Sequence, residues 1–139
     1  MKIYLYFIGK PKDPHANALA EDYMGRIARF ATAQMAEVRP ERTNIWGRHP
    51  TARKIFLNSA GRAMDSAGFA ALMSRTELEA RDMLFLVGGH DGYPASWTVN
   101  ADLLLSLSPL TLPHELARAV LTEQIYRAFT ILRGHPYPR

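Results

Sequence analysis

Met83-Leu84-Phe85-Leu86-Val87 is an uninterrupted apolar run that stops at Gly88-Gly89, and Gly92 follows. Five apolar residues are too few for a helical core and too uniformly apolar for a strand with one wet face. They suit a strand buried on both sides, as in a parallel sheet covered by helices. Glycine admits positive φ and lets another group approach the backbone closely. In open α/β sheets, ligands bind outside the carboxyl ends of the strands. The glycine segment is therefore either a tight turn or one wall of a binding site, and on its own it does not separate the two.

The rest of the chain fits a sheet of this kind. Lys2–Ile8 is apolar at nearly every position and reads as a first strand, too short for a secretion signal and followed by Lys10-Pro11-Lys12-Asp13. Asp13 and Pro14 form an N-cap and first helical position. Leu19, Tyr23, Ile27 and Phe30 follow at spacings of four, four and three, which predicts one helical face. Ala33–Arg39 reads as a second strand ended by Pro40, and the β-α-β order implies a parallel pair with a crossover helix. Residues 54–58 predict a third strand, with Ser59-Ala60-Gly61-Arg62 as a turn. Asp65 or Ser66 is positioned to cap a helix with Phe69, Leu72 and Met73 on its apolar face. A short helix is expected over 93–100 and a fifth strand over 103–107. The last helix begins at Pro113 and carries Leu121, Ile125, Ala128, Phe129 and Leu132 on one face, with Gly134 as its stop. With 139 residues, 47% hydrophobic and 22% charged, the chain is expected to form a single α/β domain.

Composition excludes several chemistries. The absence of cysteine removes disulfides, thiol catalysis and Cys-ligated metal, and agrees with a cytoplasmic location. No apolar run approaches the roughly 20 residues of a membrane span. There is no P-loop, no H-E-x-x-H and no G-x-S-x-G elbow, and Gly88–Gly92 lacks the spacing of a dinucleotide fingerprint. No metal is expected. The formal charge is +4, and 13 of 17 basic residues are arginine, whose planar fork suits phosphate. In the irregular stretch 41–53, Arg42, Arg48, His49 and Arg53 surround Trp46. Such interleaving either holds nucleic acid or is a polar connection anchored by one tryptophan. His90 and Asp91 are neighbours on the glycine turn, as an acid–base pair or as two solvated side chains.

Four ordered segments carry a resemblance. They are Val87-Gly88-Gly89-His90-Asp91-Gly92, Leu105–His114 (LSLSPLTLPH), Gln124-Ile125-Tyr126-Arg127-Ala128, and His135-Pro136-Tyr137. Together they resemble the ribosomal RNA large subunit methyltransferase H family, a SPOUT-class group. The resemblance implies a mostly parallel α/β sheet flanked by helices, with a C-terminal trefoil knot and assembly as a homodimer. It implies S-adenosyl-L-methionine as cofactor and methylation of N3 of a pseudouridine in large-subunit ribosomal RNA, free or within the assembled ribosome.

By position, the cofactor site would comprise Leu57, Gly88, Gly89, Leu107, Ser108, Pro109, Leu110, Thr111 and Leu112. His135, Tyr137 and Arg139 would serve the target base, His135 as the candidate for removing the N3 proton. Three departures from the family pattern stand out. Pro138 replaces a second histidine, His90-Asp91 replaces Pro-Glu, and residues 41–53 are short where the family usually carries a helix. They keep two other readings open: a SPOUT-fold RNA-binding protein without catalysis, and a methyltransferase acting on transfer RNA.

Overall fold

Five parallel strands lie in the order β2-β1-β4-β3-β5. The structure, a computed structural model, describes residues 1–137. The elements in chain order are β1 (Lys2–Ile8), α1 (Pro14–Ile27), β2 (Thr32–Val38), α2 (Ile45–Arg48) and β3 (Arg53–Ala63). They continue with α3 (Ser66–Leu78), β4 (Met83–Val87), α4 (Ala95–Val99), β5 (Leu103–Ser106) and α5 (His114–Arg133). Every residue of β4 is buried, as its unbroken apolar sequence requires of a strand covered on both faces.

Side chains alternate between two cores. Ile3, Leu5 and Phe7 of β1 and Met83, Phe85 and Val87 of β4 face one core, closed by α1, α3 and α5. Tyr6, Leu84, Leu86 and Phe56 face the other, closed by Ile45 of α2 and Trp97 of α4. Connections that step towards β2 use α1 and α3, and those that step towards β5 use α2 and α4. A uniform hand of crossover demands that division. Among the described residues, no helix is long and apolar enough to cross a membrane.

Several expected boundaries move. The buried stripe of α1 is Ala16, Ala20, Met24 and Ile27, whereas Leu19 is 46% exposed. The alanines let α5 pack closely on α1 and so rotate the buried face away from Leu19. Phe30 lies beyond the helix and stacks on Phe129, with ring centroids 5.6 Å apart.

The turn expected at residues 59–62 is a bulge inside β3. Leu57 and Arg62 both register with Leu105, so the residues between them are extra on one strand. The turn chemistry is still present, since Asn58 Oδ1 accepts from the Ala60 amide at 2.9 Å. Gly61 is required there: a Cβ would lie 2.6 Å from the Leu104 carbonyl. Helix α4 is shorter than expected, and Pro113 caps α5 rather than opening it. Asp13 and Asp65 do cap α1 and α3, and Gly134 ends α5 in the left-handed region. The irregular stretch contains the single turn α2, capped by Asn44.

Candidate functional site

A cavity of about 640 Å³ opens at the carboxyl ends of β3, β4 and β5. That lies within the usual size range of small-molecule sites, about 300–1,000 Å³. Three segments distant in sequence meet there because parallel strands end at the same edge of the sheet. Where its pairing with β4 stops and its register with β5 breaks, β3 brings Leu57, Asn58 and Ser59, and β4 leads into Val87, Gly88 and Gly89. The connection after β5 brings Leu107, Ser108, Leu110, Thr111 and Leu112. Tyr93, Ala95 and Thr98 close one side, and His114 and Ala117 of α5 another. Of the residues expected to hold a cofactor, eight line the cavity. Pro109 does not: it is exposed at the tip of the loop.

The glycines serve the turn more than they serve an incoming ligand. Gly89 and Gly92 exchange backbone hydrogen bonds of 3.1 and 2.9 Å and form an isolated antiparallel bridge. A Cβ on Gly89 would stand 2.8 Å from the Ile8 carbonyl oxygen, and one on Gly88 would stand 3.0 Å from the backbone of Gly92. The close approach that glycine permits is thus to the chain's own backbone. It presses the turn against the end of β1 and leaves the cavity open beside it. His90 lies at the cavity wall, and both His90 and Asp91 are exposed. They are solvated neighbours on the turn rather than an acid–base pair.

The Leu107–Leu112 loop is braced by two serine hydroxyls yet rich in free backbone groups. Ser106 Oγ donates to the Ser108 carbonyl at 3.2 Å, and the Leu110 amide donates to Ser108 Oγ at 2.9 Å. Among the described residues, no backbone–backbone hydrogen bond involves Ser108 through Leu112. Apart from the Ser108 carbonyl and the Leu110 amide, the backbone polar groups of this stretch are left to solvent or to a ligand. The leucines give the cavity apolar walls, and the loop backbone offers hydrogen-bonding groups at its side. Among the described residues, no Asp, Glu, Lys or Arg lines the cavity. Nor, among them, does any group of three or more His, Cys, Asp and Glu side chains gather as a metal site.

The tail lies elsewhere. His135 and Tyr137 follow the far end of α5, and twenty helical residues span about 30 Å. The His135 amide donates to the Thr130 carbonyl at 2.9 Å, which folds the tail back onto α5. The Tyr137 hydroxyl donates to Glu123 Oε2 at 2.8 Å and lies 3.0 Å from the Tyr23 hydroxyl. Burial and those two partners hold that hydroxyl far above its ordinary range, so it stays protonated. Neither residue reaches the cavity of its own chain, and Arg139 lies outside the described residues. Asn58, Ser59, Tyr93, Thr98, His114 and Ala117 escaped the sequence reading. Of these, Ser59 stands just past the strand expected over 54–58, where a search beyond strand carboxyl ends would have found it.

The profile of the family described as "Predicted SPOUT methyltransferase" matches residues 1–138. The chain belongs to that SPOUT methyltransferase family. It is 65% identical over 139 residues to ribosomal RNA large subunit methyltransferase H of Solibacter usitatus (strain Ellin6076), with both chains covered fully. To a protein of that name from Thermus thermophilus it is 38% identical, covering 100% of this chain and 99% of the other. A probable methylase family protein of Haemophilus influenzae Rd KW20 shares the fold, with a TM-score of 0.62 at 9% identity over 99% of this chain and 70% of that one. The SPOUT assignment accounts for the parallel sheet.

Proposed function

We propose that this SPOUT-family chain transfers a methyl group from S-adenosyl-L-methionine to large-subunit ribosomal RNA, at N3 of a pseudouridine. The observation that carries the reading is the cavity at the ends of β3, β4 and β5, built from Leu57, the Gly88-Gly89 turn and the loop after β5. Its volume, leucine walls and open backbone groups fit a nucleoside with a flat base. S-adenosyl-L-methionine supplies the activated methyl on its sulfonium, so the protein need not form a covalent bond to it. The leucines and Ala117 would exclude water, and the Ser108–Leu112 backbone would orient the cofactor.

Acceptor chemistry belongs, in this reading, to His135, Tyr137 and Arg139, with His135 taking the N3 proton. Because neither His135 nor Tyr137 lines the cavity of its own chain, they would serve the cavity of a second copy. A homodimer is supported by exposed apolar side chains near the cavity mouth: Val99 (83%), Leu110 (76%) and Leu116 (41%). We read the whole chain as one domain whose C-terminal segment is threaded through a trefoil knot. What supports the knot is the path of the chain: β5 lies beyond β3, yet α5 returns to pack on α1 and α3. The working compartment in this reading is the cytoplasm, where ribosomes are.

The test is incubation of the protein with labelled S-adenosyl-L-methionine and ribosomes lacking this modification. Label in large-subunit RNA at a pseudouridine is the expected result. Tight RNA binding with no transfer would instead support an RNA-binding protein without catalysis, the reading that Pro138 motivates.

A further inference from the structure

A second cavity, of about 350 Å³, lies on the sheet face that carries α2 and α4, at the edge strand β2. Its floor is Tyr6, Ala36 and Val38, and its rim carries Arg39, Arg42 and Arg48, with Glu37 the lone carboxylate among the described lining residues. All three arginines are exposed, and none forms an ion pair among the described residues. Arg26 and Arg133 pair with Asp22 and Glu77, whereas the three arginines here share one concavity with a single carboxylate in its described lining.

The backbone that presents the three is fixed from several sides. The Arg42 amide donates to the Arg39 carbonyl at 2.9 Å. Asn44 Oδ1 accepts from the Gly47 amide at 3.0 Å and caps α2. Just past Arg48, the buried Lys54 ammonium donates to the carbonyls of His49 and Ala52, and the Tyr6 hydroxyl meets His49 Nε2 at 2.8 Å. Trp46 does not stand free to stack on a base, because it packs edge-on against Trp97 and Phe56. That contact joins α2 to α4, and α4 in turn supplies Ala95 and Thr98 to the first cavity. Charge, not aromatic stacking, is therefore what this surface offers.

We propose that Arg39, Arg42 and Arg48 form a phosphate-binding trough that grips the backbone of the substrate RNA. The inference rests on the reading that the substrate is RNA. Three planar guanidinium forks around one concave floor, with no carboxylate ion-paired to them among the described residues, suit the bidentate recognition of phosphate. Contacts of this type position a nucleic acid without reading its sequence.

The test compares the unaltered full-length protein with the Arg42→Gln/Arg48→Gln double variant. An Arg29→Gln variant, at an exposed position just beyond α1, serves as the control. Affinity for large-subunit ribosomal RNA is measured across a salt series, and cofactor affinity by calorimetry on the same samples. Loss of two phosphate contacts should flatten the slope of log affinity against log salt by about 1.5 and weaken binding about tenfold or more. Cofactor affinity should not change, and KM for RNA should rise with little change in kcat. An unchanged slope in the folded double variant, or an equal loss in the control, overturns the trough. No transfer by the unaltered protein overturns the methyltransferase reading instead, and the salt slope still decides whether the trough grips RNA.

Discussion

The guanidinium carbon of Arg118 lies 3.9 Å from the centroid of the Phe7 ring. Arg118 is 1% exposed, and no carboxylate lies within ion-pair distance of it among the described residues. Its remaining partners are Asn17 Oδ1 at 3.1 Å and Met35 Sδ at 3.3 Å. One side chain of α5 thus ties together α1, β1 and β2, close to where Glu115 accepts from the Lys12 and Asp13 amides. Burial pushes the Arg118 pKa down, yet arginine stays charged throughout the working range.

A charge held by a ring face and neutral acceptors is costly to keep and costly to remove badly. Arg118→Ala should lose about 2–4 kcal/mol by leaving a cavity and unfilled acceptors. Arg118→Met, of similar length and uncharged, should fall within about 1.5 kcal/mol of the parent. Urea denaturation of both variants checks this, and equal losses would show that charge, not volume, matters at this position.

Gly89→Ala places a methyl 2.8 Å from the Ile8 carbonyl oxygen, which is backbone and cannot swing aside. A loss of about 1–3 kcal/mol is expected, with weaker binding of S-adenosyl-L-methionine as the turn shifts. Thermal unfolding and titration calorimetry read the two effects separately. A variant of parental stability that also binds normally would show that the turn tolerates the side chain.

His49 titrates below its ordinary range, first because it is partly buried and then because Arg48 and Lys54 stand near. An unfolded chain, with histidine near 6.5, therefore binds the proton more readily than the folded one does. The stability contributed by neutral His49 is present above that value and is lost as pH falls below it. Between about pH 8 and about pH 5 the parent should lose more stability than His49→Phe, which keeps a ring against Tyr4 but cannot titrate. Parallel curves for the two proteins would exclude His49 as the source.

Tyr137 acts at the alkaline end with the opposite sign. Its folded pKa is raised by burial first, then by Tyr23 and Glu123, so the unfolded chain loses this proton first as pH rises past about 10. The stability it contributes is full below that pH and lost above it. Tyr137→Phe should cost about 1 kcal/mol at neutral pH and unfold less steeply in alkali. Denaturation midpoints across that range test both halves.

Deletion of residues 135–139 should abolish most methyl transfer and spare cofactor affinity, because neither His135 nor Tyr137 lines the first cavity. His135→Ala alone should cost about 10² in rate if it takes the proton. Mixing tail-deleted chains with chains blocked at the cavity should restore transfer if the tail works across a dimer. A monomeric mass by light scattering in an active preparation would rule that arrangement out.

Local sequence was enough for whatever is decided locally. The apolar runs over Ile3–Ile8 and Met83–Val87, too short for helices, specify strands covered on both faces. Asp13, Asp65 and Gly134 mark helix ends because capping is satisfied within a few residues. The glycine turn and the loop from Leu107 to Leu112 were legible through their similarity to a family, and both line the cavity. The tertiary structure decided what depends on partners far along the chain. Packing of α5 chose which stripe of α1 is buried, and pairing with β5 turned residues 59–62 from a turn into a bulge. The length of α5 decided that His135 and Tyr137 stand away from the cavity of their own chain. Closeness in a motif is measured along the sequence, whereas a helix of twenty residues carries its two ends about 30 Å apart.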